Sequence, residues 1–582
     1  MSGPRRLRNR LRLRLPRGVS RRDFLKRVGS LAGFALAAPV LSSCGDSSTG
    51  AVATPLPNPA PVPNPAPVPN PGATVSPFIH GIASGDPLPG AVILWTRATP
   101  VAAESIPVTV KVYRDAALTQ LTGSAQQTAT AARDWTIKID FTGLNPATSY
   151  YFQFEALGFK SEIGRTKTAP AAGAVTPRLR VGLVSCSSYA HGFFNAYRML
   201  AKRNDLDVIL HLGDYIYEYG NGEYGDVRPY EPTTEMLTLA DYRTRHSYYK
   251  RTDADLREVH RHTPFVTVWD DHETTDNSYT IGAVNHTEGV EGIWLERKGF
   301  GQQAYDEWMP IRLPTPGDPN KIWRTLGYGD LAEFVMLDTR LFNRDEPTII
   351  SDPLANMVAA DPARTLLGDE QRSFLEDRLL NAPVQWKIIG QQVMVSQFKV
   401  VPGPDATGTS VYFNYDQWDG YQADRNRLLN FIGDNRISNV VVLTGDIHSS
   451  WAHELTIDPN NPQVYTPGIA GLVESTGSLG VEYVVPSVTS PGFEMVPTFP
   501  TTNEAVLVPN PQLKYFEGTQ RGYCILDITP TRLQCEWYYV PQIATSADGE
   551  SFAAAWGTDD GSQRQSEGTA TTPIADAPAL AP

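Results

Sequence analysis

Cysteine is scarce in this chain, with four in 582 residues. Cys44, Cys186, Cys524 and Cys535 are too few for a disulfide framework. Cys524 and Cys535 flank the turn at residues 529–531 almost symmetrically, which would let them meet on adjacent strands, and two buried apolar thiols are expected there rather than a bridge. Positive charge is also in short supply: 50 Lys and Arg stand against 63 Asp and Glu, a formal net charge of −13. Removing the +10 carried by residues 1–43 leaves −23 on the remainder. So acidic a chain is a poor match for a nucleic-acid-binding surface, and no nucleic-acid partner is expected. Long apolar runs are missing too. The weakly apolar, glycine-bearing stretch at 28–40 is too short to span a bilayer.

The flanks of that stretch carry an address. SRRDFLK at 20–26 has the pattern of a twin-arginine export signal, and LSSC at 41–44 has the form of a lipobox in which Cys44 becomes the lipidated N-terminus. Near-repeats of PAPVPN between 55 and 71 suit an extended polyproline II spacer of roughly 3 Å per residue. Residues 1–43 therefore read as a signal peptide and 44–74 as a Pro-rich tether. The mature protein is expected to be a monomer held by lipid on the outer side of the cytoplasmic membrane, in the periplasm or at the cell surface. Twin-arginine export carries proteins that are already folded.

Four apolar segments each end in a metal-capable group. VILHLGDYIYEYG at 208–220 delivers Asp214 and Tyr217, and TPFVTVWDDHETTDN at 263–277 delivers Asp270, Asp271, His272 and Glu273. NVVVLTGDIHSSWAH at 439–453 delivers Asp446 and His448, and RLRVGLVSCSSYAHG at 178–192 ends its apolar run in Ser185 and Cys186. Continuous apolar runs closed by glycine or polar residues read as buried parallel strands, and open α/β sheets keep their ligands at the carboxyl ends of such strands. A carboxylate can bridge two cations and a tyrosinate suits ferric iron, so Gly-Asp-x-x-Tyr already suggests a metallohydrolase.

Those motifs, with HGIASGDPLPGAVILWTR at 80–97, LDTRLF at 337–342, LLGDEQRSFLEDRL at 366–379 and QWDGY at 417–421, resemble the PhoD-like alkaline phosphatases. These are relatives of the purple acid phosphatases within the calcineurin-like metallophosphoesterases, and the resemblance runs from about residue 78 to 540. It implies an iron (Fe3+) ligated by Cys186, Tyr217, His448 and Asp214, with Asp214 bridging to a second metal held by Asp271 and Asp446; the oxygen ligands suit calcium, magnesium or manganese, and the resemblance implies calcium. Asp270 and Glu273 are expected outside direct ligation, and Gln391 and Gln392 end another strand near a missing histidine ligand. His272 follows Asp271 where a general acid for the leaving group would stand. His211 reads as a core residue or one that backs the ligands, while His453 and His191 have no role assigned, His191 being the better placed because it follows Cys186 in a loop. Gln512 departs from the family pattern, in which histidine is common.

The expected fold class is α/β, a calcineurin-like α/β sandwich at 177–545 behind an all-β immunoglobulin- or fibronectin-like sandwich at 75–172 that serves as a packing and spacer module. Residues 546–582, rich in Ala, Thr, Asp, Gly and Pro, are expected to be a flexible tail. The implied activity is hydrolysis of small-molecule phosphate monoesters, and of diesters, by a metal-bound hydroxide. Two alternatives are a phosphodiesterase or phospholipase D-like enzyme acting on phospholipid headgroups or wall polymers, and an inactive surface lipoprotein that binds glycan or polymer.

Overall fold

The structure is a computed structural model that describes residues 75–100, 105–348, 354–405, 410–468, 473–496 and 506–582. The signal, the lipobox with Cys44 and the proline tether lie outside the described residues. No described helix is long and apolar enough to cross a membrane.

Two large sheets stack face to face in an α/β fold. In the first, strands Leu179–Val184, Val208–His211 and Phe265–Thr267 run parallel and adjacent, pairing Ile209 with Gly182 and with Phe265. In the second, Ala332–Met336, Trp386–Gly390, Val440–Thr444 and Gly480–Val484 form a parallel core flanked by antiparallel strands. Val181, Leu183, Leu210 and Val268 of one sheet meet Phe334, Ile388, Val441 and Val481 of the other in a single core. The outer faces are covered in turn. Helices Asn195–Ala201, Leu239–Thr252 and Ala254–His262 pack on the first sheet around Ile209 and Phe265, and Gly368–Asn381 and Gln422–Asp434 pack on the second around Ile389 and Val442. Burial on both faces is why these strands read as unbroken apolar runs, each fully buried aliphatic side chain contributing about 1.5–3 kcal/mol.

The N-terminal β region is a sandwich, but not a free-standing spacer. Its strands Ile82–Leu88, Ala91–Arg97 and Thr136–Thr142 continue the ten-stranded first sheet, with Gly85 pairing parallel to Phe265. A separate five-stranded sheet covers them through Val108, Val110, Phe152 and Phe154. Gly85 is required at the junction, since a Cβ there would stand 2.1 Å from the Pro310 carbonyl oxygen. Buried Asp86 ion-pairs with Arg324 at 2.7 Å and ties the two regions together. Alternation along a strand reports its faces and is silent about which strand its edge will join.

The expected flexible tail at 546–582 is corrected by the structure. Ser551–Asp559 pairs antiparallel with Arg532–Tyr539, and Ser566–Glu567 adds the sheet's outermost strand. Beyond them the chain runs back across the molecule: Arg165 donates to the Pro578 carbonyl at 2.9 Å, Tyr151 to that of Ala579 at 2.7 Å and Arg261 to that of Pro582 at 2.9 Å. This segment is held through its backbone and lies at an exposed sheet edge, so it needs no apolar periodicity. Cys524 and Cys535 are buried free thiols, out of register by pairing with Trp537 and Leu526 respectively.

Lys250 is buried in the helix Leu239–Thr252, donating to the Tyr215 hydroxyl at 2.5 Å beneath the Trp95 ring at 5.1 Å, among His211, His246 and His260. Burial pushes its ammonium from the ordinary 10.5 down to about 7. Because the unfolded chain binds a proton at this lysine over that window and the folded chain does not, the contribution of Lys250 to stability should rise with pH from about 7 to 10.5. In Lys250→Met the same denaturation series should be flatter across this range; an unchanged slope would remove Lys250 as its source.

Candidate metal centre

The four strand ends named from the sequence meet where the two sheets come together. The Cys186 N–H donates to the Gly213 carbonyl at 3.1 Å and the Ser187 N–H to that of Asp214 at 2.8 Å, so the first two loops lie side by side. Two glycines allow the close approach. A Cβ on Gly213, whose φ is +106°, would stand 2.4 Å from Asp270 Cβ, and one on Gly445 would stand 2.9 Å from Ser185 Cβ. The residues that follow share an uncommon conformation: Cys186, Asp214, Asp446 and His448 have φ of 58°, 58°, 61° and 58°. Left-handed backbone in a non-glycine residue costs of order 1–3 kcal/mol, and four such residues at one locus mark a site whose geometry is imposed by the surrounding fold.

Their side chains form three overlapping groups, each with ligand atoms within 4.8 Å of one another: Cys186, Asp214 and His448; Asp214, Asp271 and His272; Asp270, Asp271 and Asp446. Asp214 belongs to the first two groups and Asp271 to the last two. Tyr217 donates to Asp214 Oδ2 at 3.1 Å, lies 3.3 Å from His448 Nε2 and accepts from Ser490 at 2.6 Å. His448 donates from Nδ1 to the Pro491 carbonyl at 2.8 Å, which fixes the tautomer and turns the Nε2 lone pair toward Asp214, 4.0 Å away. The sequence offered no sign of that carbonyl.

Asp270, expected outside direct ligation, enters the third group and pairs with a residue that had been given no role. Arg340, from the LDTRLF segment, is fully buried and bonds to Asp270, to Asp446 at 2.8 Å and to Asp416 at 2.5 Å, with Asp271 at 3.8 Å. Arg344 backs the far side of Asp416. Glu273 accepts the backbone N–H groups of Asp214 at 3.1 Å, Tyr215 at 2.6 Å and Asp270 at 2.8 Å, and so clamps two of the loops. Burial and the nearby Asp214 charge push its carboxyl up to about 8. Gln392 accepts from Thr339 at 2.6 Å and donates to the Leu337 carbonyl at 2.9 Å, holding the loop that presents Arg340. Gln391 is engaged with Thr444 at 2.6 Å.

His272 has a partner that sequence reasoning missed. Its Nδ1 lies 2.7 Å from Glu218 Oε2 with both side chains fully buried, and Glu218 is itself held by the Asp276 N–H at 2.7 Å and Thr275 at 3.1 Å. Burial opposes charge on the ring, but the carboxylates of Glu218, Asp271 and Asp214 outweigh it and hold the imidazole well above its ordinary value. Glu218 stood in the quoted VILHLGDYIYEYG segment one residue beyond Tyr217, which would put it on the opposite face of a regular strand, so spacing alone gave it no role. His211 bonds to Tyr197 at 2.9 Å and burial pushes it down to about 3; His453 is buried against Trp451 and is likewise lowered to about 3. Both sit away from the three groups. Gln512 donates to the Gln397 carbonyl at 2.7 Å and is part of the packing.

The donor set fits cations. Asp214, Asp270, Asp271 and Asp446 are at most 1% exposed, and Asp270 Oδ2 is buried with no hydrogen-bond partner. Burial, reinforced by the neighbouring Asp214 charge, pushes the Cys186 thiol and the Tyr217 phenol well up, and burial does the same to Asp270. Arg340 and His272 are too few positive groups to balance this cluster, and a bound cation would reverse these shifts. The first group mixes thiol, imidazole and carboxylate with the Tyr217 phenol beside it; the third is oxygen only.

A fold and centre of this kind suit a hydrolase, and the comparisons with known proteins make it a phosphoric ester hydrolase. Residues 181–537 match the family described as PhoD-like phosphatase, and residues 65–170 match its N-terminal domain. The chain is 34% identical over 551 residues to alkaline phosphatase D of Bacillus subtilis (strain 168), covering 92% of this chain and 87% of that protein. It is also similar to the solved structure titled "Structure of PhoD", with TM-score 0.75 and 32% identity over 86% of this chain and 93% of that one. The chain belongs to the PhoD-like phosphatase family. It is a phosphohydrolase acting on phosphate esters, and its centre carries groups able to hold metal ions.

If His272 serves the leaving group and Glu218 orients it, His272→Asn should lower kcat by about 10²–10⁴-fold. Glu218→Gln should lose part of that factor with circular dichroism unchanged. Equal activity of Glu218→Gln and wild type on 4-nitrophenyl phosphate would rule out the dyad.

Proposed function

We propose that the protein cleaves phosphate monoesters and diesters at an iron- and calcium-containing centre. The observation that carries this reading is Asp214, whose carboxylate is common to a thiol-, phenol- and imidazole-bearing group and to a carboxylate-rich one. Cys186, Tyr217, His448 and Asp214 would hold ferric iron; Asp214, Asp270, Asp271 and Asp446 would hold calcium. When bound, such cations supply an activated water and neutralise the oxygens of the phosphoryl group. The chain's own residues do the rest. Arg340 keeps Asp270 and Asp446 fixed, Glu273 sets the spacing of the two acidic loops, and His272 carries a proton to the departing oxygen while Glu218 holds its ring. The order of layers, helix on sheet on sheet on helix, supports a calcineurin-like relationship.

Protein purified without added metal should contain iron and calcium by elemental analysis and show a visible charge-transfer band that Tyr217→Phe removes. Zinc as the sole metal would refute both assignments. Asp214→Asn should bring turnover of 4-nitrophenyl phosphate and of its bis-ester to background while the fold persists.

The address read from residues 20–44 completes the proposal: twin-arginine export, lipidation at Cys44 and a proline spacer that holds the enzyme off the outer face of a membrane. In cells, Cys44→Ser should move the protein from the membrane fraction to the soluble exported fraction; unchanged membrane association would discard the anchor.

A further inference from the structure

One wall of the centre is made of rings. Tyr217 and His272 stack with centroids 4.2 Å apart, and Tyr224 lies parallel to Tyr217 at 5.5 Å and 17°. Tyr219 meets Tyr224 at 5.0 Å and His272 at 5.5 Å, and His191 stands edge-on to Tyr224 at 4.5 Å. Tyr217 and His272 are buried, whereas Tyr219, Tyr224 and His191 are half-buried. The rings therefore form a ladder from the reacting centre to solvent, and its first rung is the residue placed beside the leaving oxygen.

The loop that carries Tyr224 is anchored. The Val227 N–H donates to the Ala190 carbonyl at 2.8 Å, and Gly225 lies so close to Ala190 that a Cβ would stand 3.0 Å from it. The Gly220 N–H donates to Glu223 at 2.9 Å and the Tyr230 N–H to Asn221 at 2.9 Å, closing the turn on itself. Just beyond, Arg228 packs 3.5 Å from the Tyr189 ring while bonding to Asp253 at 2.8 Å. A wall pinned in this way is organised before any ligand arrives, so stacking on it loses little conformational entropy.

We propose that Tyr224 and Tyr219, backed by His191, form a stacking platform for a leaving alcohol that bears a planar ring, either an aryl alcohol or a nucleoside. The proposal rests on the phosphohydrolase reading and adds a substrate class to it. The charged groups gather at the buried centre, and the half-buried rings beside it offer an organic group contact with aromatic surface. Those faces favour a flat partner over a small hydroxylated one. The acidic surface argues for a single ring and against a nucleic-acid strand.

The test compares kcat/KM for phenyl phosphate, adenosine 5′-phosphate and glycerol 3-phosphate in the metal-loaded wild type, Tyr224→Ala, Tyr219→Ala and Tyr224→Phe. Comparing each substrate across variants cancels its intrinsic leaving-group reactivity. The alanine variants should lose about tenfold on a ring-bearing ester, mainly in KM, and no more than about twofold on glycerol 3-phosphate, with Tyr224→Phe close to wild type. A loss confined to one of the two ring-bearing esters would say which ring is the natural one. Equal losses on all three esters, or none, would overturn the platform. So would a shifted visible band in Tyr224→Ala, because the ring would then be acting through Tyr217. Failure of the wild type on every ester would instead overturn the phosphohydrolase reading on which the platform stands.

Discussion

Four aspartate carboxylates buried in one small volume repel one another, and the structure around them is arranged to hold that repulsion in check. At separations near 4 Å, like charges cost about 4 kcal/mol per pair even at an effective dielectric constant of 20. The fold answers with Arg340 inserted among Asp270, Asp446 and Asp416, with Glu218 set to hold His272 cationic, and with backbone N–H groups aimed at carboxylates. These devices reduce the imbalance without closing it. The remainder is what gives the centre its affinity for cations, and cation binding is what lets Cys186 and Tyr217 ionise.

Holding such a cluster demands that the backbone be more rigid than the side chains are repulsive. Left-handed turns at Cys186, Asp214, Asp446 and His448 follow directly on strands that are buried on both faces, so the packing of two sheets supplies the stability that these turns consume. Gly213 and Gly445 are the positions where a side chain would push the loops apart. The N-terminal strands belong to the same support: they extend the sheet beyond Phe265–Thr267, and Asp86 with Arg324 locks that edge.

Much of the candidate site was legible along the chain, because an apolar run of the right length announces a central strand and the polar residue that ends it announces a rim. Cys186, Asp214, Tyr217, Asp271, His272, Asp446 and His448 could be named this way, and the fold brings them together. Arg340 and Glu218 could not be given roles, although both lie in motifs that had been noticed. Their importance depends on which carboxylate or imidazole they face, and those partners are 70 and 54 residues away. The Pro491 carbonyl that orients His448 carries no residue-type signal at all. The C-terminal segment misled for a related reason: an edge strand bound through its backbone can have the composition of a loop.

The sequence by itself determined the fold class, the family and the residue types available at the strand ends, since these follow from periodicity, motif order and the chemistry of single side chains. Only the tertiary structure decided how the groups overlap: that Asp214 and Asp271 are each shared, that Asp270 joins the cluster, and that an arginine following a strand of the second sheet pairs with Asp270 from the first sheet as well as Asp446 from its own. The physical reason is that charge interactions depend on distance in space. Two sheets distant in sequence must pack before those distances exist.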